Sequence, residues 1–453
     1  MDKLLYLSCF VLGIVMIITT FPEGNSAVFT TALFASLVVF LINKLVTENR
    51  LFLTRVFLLA LVARLILGLI IHLLDLRSFF GGDANTYDFF ANKISEVWLG
   101  NASEDTYSAR DRARLQGVGW GMSYSIAIIY SVIGRNIYAA QCLFAVAGAA
   151  IAPLVYGCAL RIYNNQRVAK LSAVFVALYP ASVVWTGQLL KDGLIVFFLV
   201  LVVLMVLRLQ EKFNYLDLTI LIFSLFGIIS LRFYIFYMIV LAIVGAFIIG
   251  QSTSPKMILR NCIILGVLGI ALTYLGVIRY ASSEFKVYGS LESVQRSRAD
   301  LARAESGFGR DIDVSTTSGA ISAIPIGLTY LMLAPFPWQV TNLRQSITLP
   351  DMIIWWASIP FLIMGLMFSI KQHLRKSIGI FIFIFMLSIV YALFQGNVGT
   401  AYRQRLQIQV FLFIFIGVGI TLFLERRENR KAKLLAERLA FEKRLRENAV
   451  QRS

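Results

Sequence analysis

Apolar residues in this chain come mostly in unbroken runs, not in the 3.6- or 2-residue alternation of a soluble fold. A hydrocarbon layer about 30 Å deep takes roughly 20 helical residues at about 1.5 Å each. That length predicts about twelve spanning helices, near 4–21, 28–46, 53–75, 137–160, 168–185, 192–209, 215–231, 233–250, 257–278, 352–370, 377–394 and 405–424. The polar residues between the runs are unequally shared. Lys44, Arg50 and Arg55 lie between the second and third runs, Arg161, Arg167 and Lys170 between the fourth and fifth, and Arg208 and Lys212 between the sixth and seventh. Lys256 and Arg260 lie between the eighth and ninth, and Lys371, Arg375 and Lys376 between the tenth and eleventh. The tail after Phe423 adds ten Lys/Arg against five Glu. With both termini cytoplasmic, all six basic clusters fall on one side, as the positive-inside rule requires.

The opposite, outer side then receives 21–27, a long loop over 76–136, the turn 185–192, Arg232, a second long loop over 279–351, and 395–404. In the first loop, after a polar stretch with Arg110, Asp111, Arg112 and Arg114, the apolar piece Trp120–Ile133 is short for a span and reads as a helix lying in the outer interface. In the second, Ile321–Pro337 closes on Ala334-Pro335-Phe336-Pro337-Trp338 and reads as re-entrant or interfacial. The basic tail, with Leu434, Leu435, Leu439, Phe441 and Leu445 among its charges, predicts an amphipathic cytoplasmic helix on anionic lipid, with a short coiled-coil contact as the other reading.

Composition agrees with an all-α polytopic membrane protein: 453 residues, 58% hydrophobic, 15% charged, mean hydropathy +0.76. The net charge of +17 belongs to short loops and the tail, the pattern of headgroup contacts and not of a nucleic-acid groove. Cys9, Cys142, Cys158 and Cys262 all sit inside apolar runs without metal or redox spacing, and only His72 and His373 are available for a triad or zinc site. The first run lacks a small-residue cleavage site, so a retained helix is expected. No phosphate-binding glycine loop or dinucleotide fingerprint is present, which sets aside ATP-driven chemistry.

Chemistry is therefore sought where charge meets the outer surface. Phe79-Phe80-Gly81-Gly82-Asp83-Ala84-Asn85-Thr86-Tyr87-Asp88 follows directly on a predicted span. Asp83 and Asp88, five apart, would not share a helix face; Asp83 is expected just before a helix capped near Asn85 or Thr86. A carboxylate there serves as a general base toward a hydroxyl, or as an oxygen ligand for a divalent cation, or merely as a solvated helix cap. Lys191 and Asp192 open a span on the same side, and either pair with each other or place Asp192 at a helix N-terminus that keeps it ionised. Arg232, followed by Tyr234, and Arg403 with Arg405 are outer-side cations, which snorkel or bind phosphate. If Lys191, Arg232 and Arg403 converge, they make a site for a polyprenyl phosphate head.

Gly82-Asp83-Ala84-Asn85-Thr86-Tyr87-Asp88 after a span that carries Arg64 resembles the first outer loop of GT-C glycosyltransferases of the protein-mannosyltransferase and aminoarabinose-transferase type. The likeness continues in order through Tyr130-Ser131-Val132-Ile133-Gly134, Ala139-Ala140-Gln141, Arg161-Ile162-Tyr163, Leu178-Tyr179-Pro180-Ala181-Ser182 and Lys191-Asp192, and Tyr402-Arg403-Gln404-Arg405 is similar to C-terminal segments of such bacterial proteins. It implies a transmembrane core over 53–424, with two extra spans in 1–52 ahead of it and the tail 425–453 behind. It also implies an enzyme that passes a sugar from a polyprenyl-phosphate carrier to a glycan, lipid or protein acceptor on the outer face of a bacterial inner membrane. Asp83 and Asp192 match the family's acidic positions. Asp83 is then the expected base, Asp192 a second catalytic carboxylate, and Lys191, Arg232 and Arg403 the donor-phosphate ligands. Asn85, Tyr87, Asp88, Tyr234 and Arg405 are expected in support, with a divalent cation at Asp83 the one metal to consider. An outward-facing polysaccharide polymerase or ligase, and a lipid or glycan transporter, are the alternatives.

Overall fold

The computed structural model describes residues 2–450 except 47, 104, 106, 109, 110, 113, 114, 116, 118, 251–254, 305, 341 and 342, and describes the side chains of residues 3–436 within that range. Arg110, Arg114 and the tail side chains Leu439, Phe441 and Leu445 lie outside it. The described residues form nineteen α-helices and no strand. In chain order they are α1 Asp2–Thr19, α2 Glu23–Leu45, α3 Arg50–Leu73, α4 Asp83–Trp98, α5 Gly121–Ile133, α6 Ile137–Tyr163, α7 Gln166–Leu178, α8 Pro180–Thr186, α9 Lys191–Glu211, α10 Tyr215–Leu231, α11 Phe233–Ile249 and α12 Pro255–Tyr274. Then follow α13 Val277–Tyr288, α14 Leu291–Ala302, α15 Thr317–Leu333, α16 Leu343–Ser346, α17 Leu349–Gln372, α18 Leu374–Phe394 and α19 Val398–Val450. Eight of them (α2, α3, α6, α9, α12, α17, α18 and α19) are long and apolar enough to cross a membrane. The other four predicted spans correspond to the shorter apolar α1, α10 and α11 and to the bent pair α7 and α8.

That bend is a departure from the sequence reading, which drew one span over 168–185. The pair turns by 57° at Tyr179-Pro180. Proline disfavours helical backbone in the residue before it, and Tyr179 is extended (φ −62°, ψ 126°). Pro180 also has no N–H for the carbonyl of Val176. Ser182 Oγ (2.8 Å) and Arg64 Nη2 (3.4 Å) donate to that oxygen instead. The rest of the Arg64 guanidinium donates to Thr186 Oγ1 (2.8 Å) and to the Ala60 and Ala177 carbonyls (2.9 Å each), so this wholly buried arginine staples the broken span to α3 through neutral oxygens.

α6, α9 and the membrane part of α19 form the centre of the bundle. α6 is rich in Ala and Gly, which lets helix backbones approach closely. Where α17 crosses α19, a Cβ on Gly365 would fall 1.8 Å from the Phe415 carbonyl and one on Gly419 1.9 Å from the Phe361 carbonyl, so neither position admits a side chain.

The two ends of the bundle sort the loops as the charge pattern predicts. At one end Arg167 pairs with Glu428, Gln166 with Glu48, Arg161 with Glu211, and Arg260 reaches the Gln210 carbonyl. At the other, Asn136 donates to the Glu23 carbonyl (2.9 Å) and Trp120 packs on Phe226. α5 stays at this second end, with Gly121 against Ser230 and Tyr130 against Asp88. α15 lies there too: its start packs with Val294 and Leu393, and its end meets Trp355, whose indole donates to the Met332 carbonyl at 2.7 Å.

Two further expectations change. The last span is drawn from 405, but α19 begins at Val398, where the Asn397 side chain accepts from Thr400 N (3.0 Å), so Arg403, like Arg405, sits inside a helix and not in the preceding loop. The tail is helical, as expected, but it is continuous with the last span. α19 continues unbroken to Val450, since no Gly or Pro follows Gly419 to end it.

Candidate active site

The chain between α3 and α4 turns through Gly81 (φ +126°) and Gly82 (φ +55°), backbone values that favour glycine. The turn makes Gly82 the cap and Asp83 the first residue of α4, in place of the predicted position ahead of the helix; there its charge complements the helix N-terminus. Asp83 stays 43% exposed and accepts from Arg403 Nη1 at 2.9 Å.

Asp192, in the first turn of α9, is wholly buried. Its Oδ2 accepts from Arg403 Nε at 2.5 Å, and its Oδ1 lies 3.1 Å from Arg232 Nη2 and 3.3 Å from Gln407 Nε2. Arg232 occupies the single extended residue between α10 and α11, so its side chain leaves the turn toward α9 rather than along either helix. Tyr391 completes the cluster: its hydroxyl donates to Gln407 Oε1 at 2.5 Å and accepts from Arg232 Nη1 at 3.4 Å. Two guanidiniums and two carboxylates from four distant segments thus balance one another. Among the described residues Lys191 has no hydrogen-bond or ion-pair partner.

Asp83, Lys191, Arg232 and Arg403 all line one cavity of about 800 Å³. Leu67, Phe79, Phe80, Val184 and Trp185 give it an apolar wall, with the Arg403 guanidinium 5.8 Å from the Trp185 ring centroid. The long loop over 279–351 also lines it, through Ser306, Pro335, Arg344 and Thr348. A cluster of cations beside apolar walls suits an amphiphile with an anionic head.

The remaining predicted residues divide. Asp192 does not line the cavity; it is wholly buried and pairs with Arg232 and Arg403 from behind. Asp88 is buried, accepting from Tyr130 Oη (2.6 Å) and Arg135 Nη2 (2.6 Å), which fastens α4 to α5. The Asp88 bond raises the Arg135 guanidinium above its ordinary range, and burial first and then Asp88 raise the Tyr130 phenol. Asn85 is exposed on α4 and does not line the cavity. Tyr87 packs near Asp83; burial and then the Asp83 charge push its phenol well up, so it keeps its proton. Tyr234 lies against Tyr391 and Phe394, both at 6.1 Å between ring centroids. Arg405 is turned away altogether and donates to the Met332 and Ala334 carbonyls (3.0 Å each) at the end of α15.

Three contributors escaped the sequence reading. Gln407 stands four residues after Arg403, hence on the same helix face, and that spacing is a readable signal. Arg344 lines the cavity with its guanidinium 5.3 Å from the Phe79 ring centroid; a lone arginine in a long loop carries no such signal. Tyr391 lies in an apolar run and is placed only by packing. As for a metal, no group of three or more His, Cys, Asp or Glu gathers among the described residues. The nearest charge to Asp83 is a guanidinium, which repels a cation, so the residues present do not fit a metal there.

Within this bundle the segment from the approach to α5 through α13's first residues carries Lys191, Asp192 and Arg232. Residues 119–278 match the family model described as dolichyl-phosphate-mannose-protein mannosyltransferase. Over that segment the chain is similar to a GT-C-type glycosyltransferase domain, and the chain is an integral membrane protein. The matched segment is about a third of the chain; Asp83 and Arg403 lie outside it. No curated protein matches the chain.

Proposed function

We propose that the chain is a membrane glycosyltransferase that moves a sugar from a polyprenyl-phosphate donor to a hydroxyl of a glycan, lipid or protein acceptor. The supporting observation is the meeting of Asp83, Lys191, Arg232 and Arg403 on one partly apolar cavity. The polyprenyl chain packs on the apolar wall while the phosphate faces Lys191, Arg232 and Arg403. The acceptor oxygen attacks the anomeric carbon, the bond from that carbon to the phosphate oxygen breaks, and the electron pair leaves with the phosphate. The acceptor's proton passes to Asp83. Fixed cations act best where charge grows, on the departing oxygen. Asp192 lowers no barrier by contact; it keeps the two arginines aimed.

The side of the membrane follows from charge. The segments lining the cavity lie at the end opposite the basic clusters, which supports a cavity open to the outer face and cytoplasmic termini, and the likeness to bacterial transferases supports a bacterial inner membrane. Asp83→Asn tests the role of the carboxylate. Transfer from a polyprenyl-phosphate sugar, assayed on the full chain in nanodiscs, should fall by about 10²–10⁴-fold, the usual worth of a positioned base. Undiminished transfer would remove Asp83 from the mechanism.

A further inference from the structure

We propose that the Arg403–Asp83 ion pair is an interlock. The donor's phosphate displaces Asp83 from Arg403, and only the carboxylate so released is free to take the acceptor's proton. This deepens the reading of the cavity as a donor site and rests on it.

The two ends of Arg403 differ in what holds them. Its Nε bonds to Asp192, which is wholly buried and also holds Arg232 and Gln407; moving that carboxylate would strand two buried cations. Its Nη1 bonds to Asp83, which faces the cavity, is 43% exposed and has this one ion pair among the described residues. Asp83 follows two glycines with positive φ, and the space a Cβ would take on Gly82 is open. The Asp83 end of the bridge therefore yields first.

The vacated place suits phosphate. Arg403 Nη2 is buried and makes no hydrogen bond among the described residues. With Asp83 gone, Nη1 and Nη2 present the two-pronged fork that fits two phosphate oxygens. Lys191, on the same cavity and with no hydrogen-bond or ion-pair partner among the described residues, adds a cation that the donor does not have to strip from a carboxylate.

Geometry also requires the exchange. A direct displacement at the anomeric carbon puts the attacking and departing oxygens on opposite faces of the sugar. While Asp83 sits on Arg403, the base and the phosphate ligand are 2.9 Å apart and occupy one place. Phosphate binding separates them. An acceptor that arrives first meets a carboxylate still held by Arg403, so the donor binds before the acceptor.

Farnesyl monophosphate, bound to the full chain in neutral-lipid nanodiscs, tests this without catalysis, with farnesol as the chain-only control. Removing the competing carboxylate should tighten phosphate binding: Asp83→Asn and Asp83→Ala should each lower Kd by about two- to fivefold, the worth of a partly exposed ion pair. Either variant suffices should the other fold poorly. Lys191→Gln, which breaks no ion pair, should weaken binding of the phosphate and leave farnesol unchanged. If the Asp83 variants bind equally or more weakly while Lys191→Gln still weakens, the interlock is wrong and the donor site stands. If Lys191→Gln changes nothing either, the donor site falls with it.

Discussion

Arg403 and Arg405 stand two residues apart on the same helix and serve different ends. Arg403 faces the cavity between two carboxylates; Arg405 is wholly buried and fastens the carbonyls that end α15. Arg64 and Arg298 belong with Arg405. Arg64 holds the carbonyls freed by Pro180, and Arg298 donates to the Leu393 (3.2 Å) and Gln395 (2.6 Å) carbonyls where α18 ends. Each of these three satisfies a helix C-terminus, where orphan carbonyls and the negative end of the helix dipole favour a cation. Arg232 belongs with Arg403, since both need a buried carboxylate and both reach the cavity. Among these five arginines the partner's charge separates the two groups: neutral carbonyls hold Arg64, Arg298 and Arg405, and carboxylates hold Arg232 and Arg403.

Substitutions should separate the two groups, and the largest effect is expected at their boundary. Asp192→Asn leaves Arg232 and Arg403 without their buried counter-charge; thermal unfolding in detergent should show a loss of about 3–5 kcal/mol, with transfer abolished. Equal stability in that variant would show that the arginines do not depend on the carboxylate. Next comes Arg405→Leu, which strands carbonyls at the end of α15 and should cost about 2–3 kcal/mol. Its transfer per folded molecule should stay near wild type; a large fall would erase the distinction from Arg403. Asp88→Asn weakens the link from α4 to α5 and should cost about 1–3 kcal/mol, with a smaller loss of rate than Asp83→Asn. Asn85→Ala, exposed on the same helix, should change stability by less than about 0.5 kcal/mol and leave transfer unaltered.

Much of this was legible in advance, for identifiable reasons. Run length located the apolar helices, because a bilayer imposes one length on every span. Charge put 76–136, 185–192, Arg232, 279–351 and 395–404 at one end, and the structure gathers residues from each of them around a single cavity. Asp88 was separable from Asp83 because five residues on a helix turn a side chain to another face. The break at Pro180 had its cause in the sequence, yet a run of apolar residues hid it, because hydropathy does not register a missing N–H.

What the sequence by itself determined is an all-helical membrane bundle, the end at which its long loops gather, and the residue types available there. These follow from one-dimensional quantities: the length of apolar runs and the sign of charge between them. Only the tertiary structure decided that Asp192 stands behind the cavity wall, that Arg403 and not Arg405 faces the cavity, and that Gln407 and Tyr391 join the cluster. Each of these depends on the rotation of a helix about its axis, about 100° per residue, and hence on packing against partners on other helices, from 16 to more than 200 positions away in the chain. Arg403 binds Asp83 and Asp192 across such distances, and no local pattern records that.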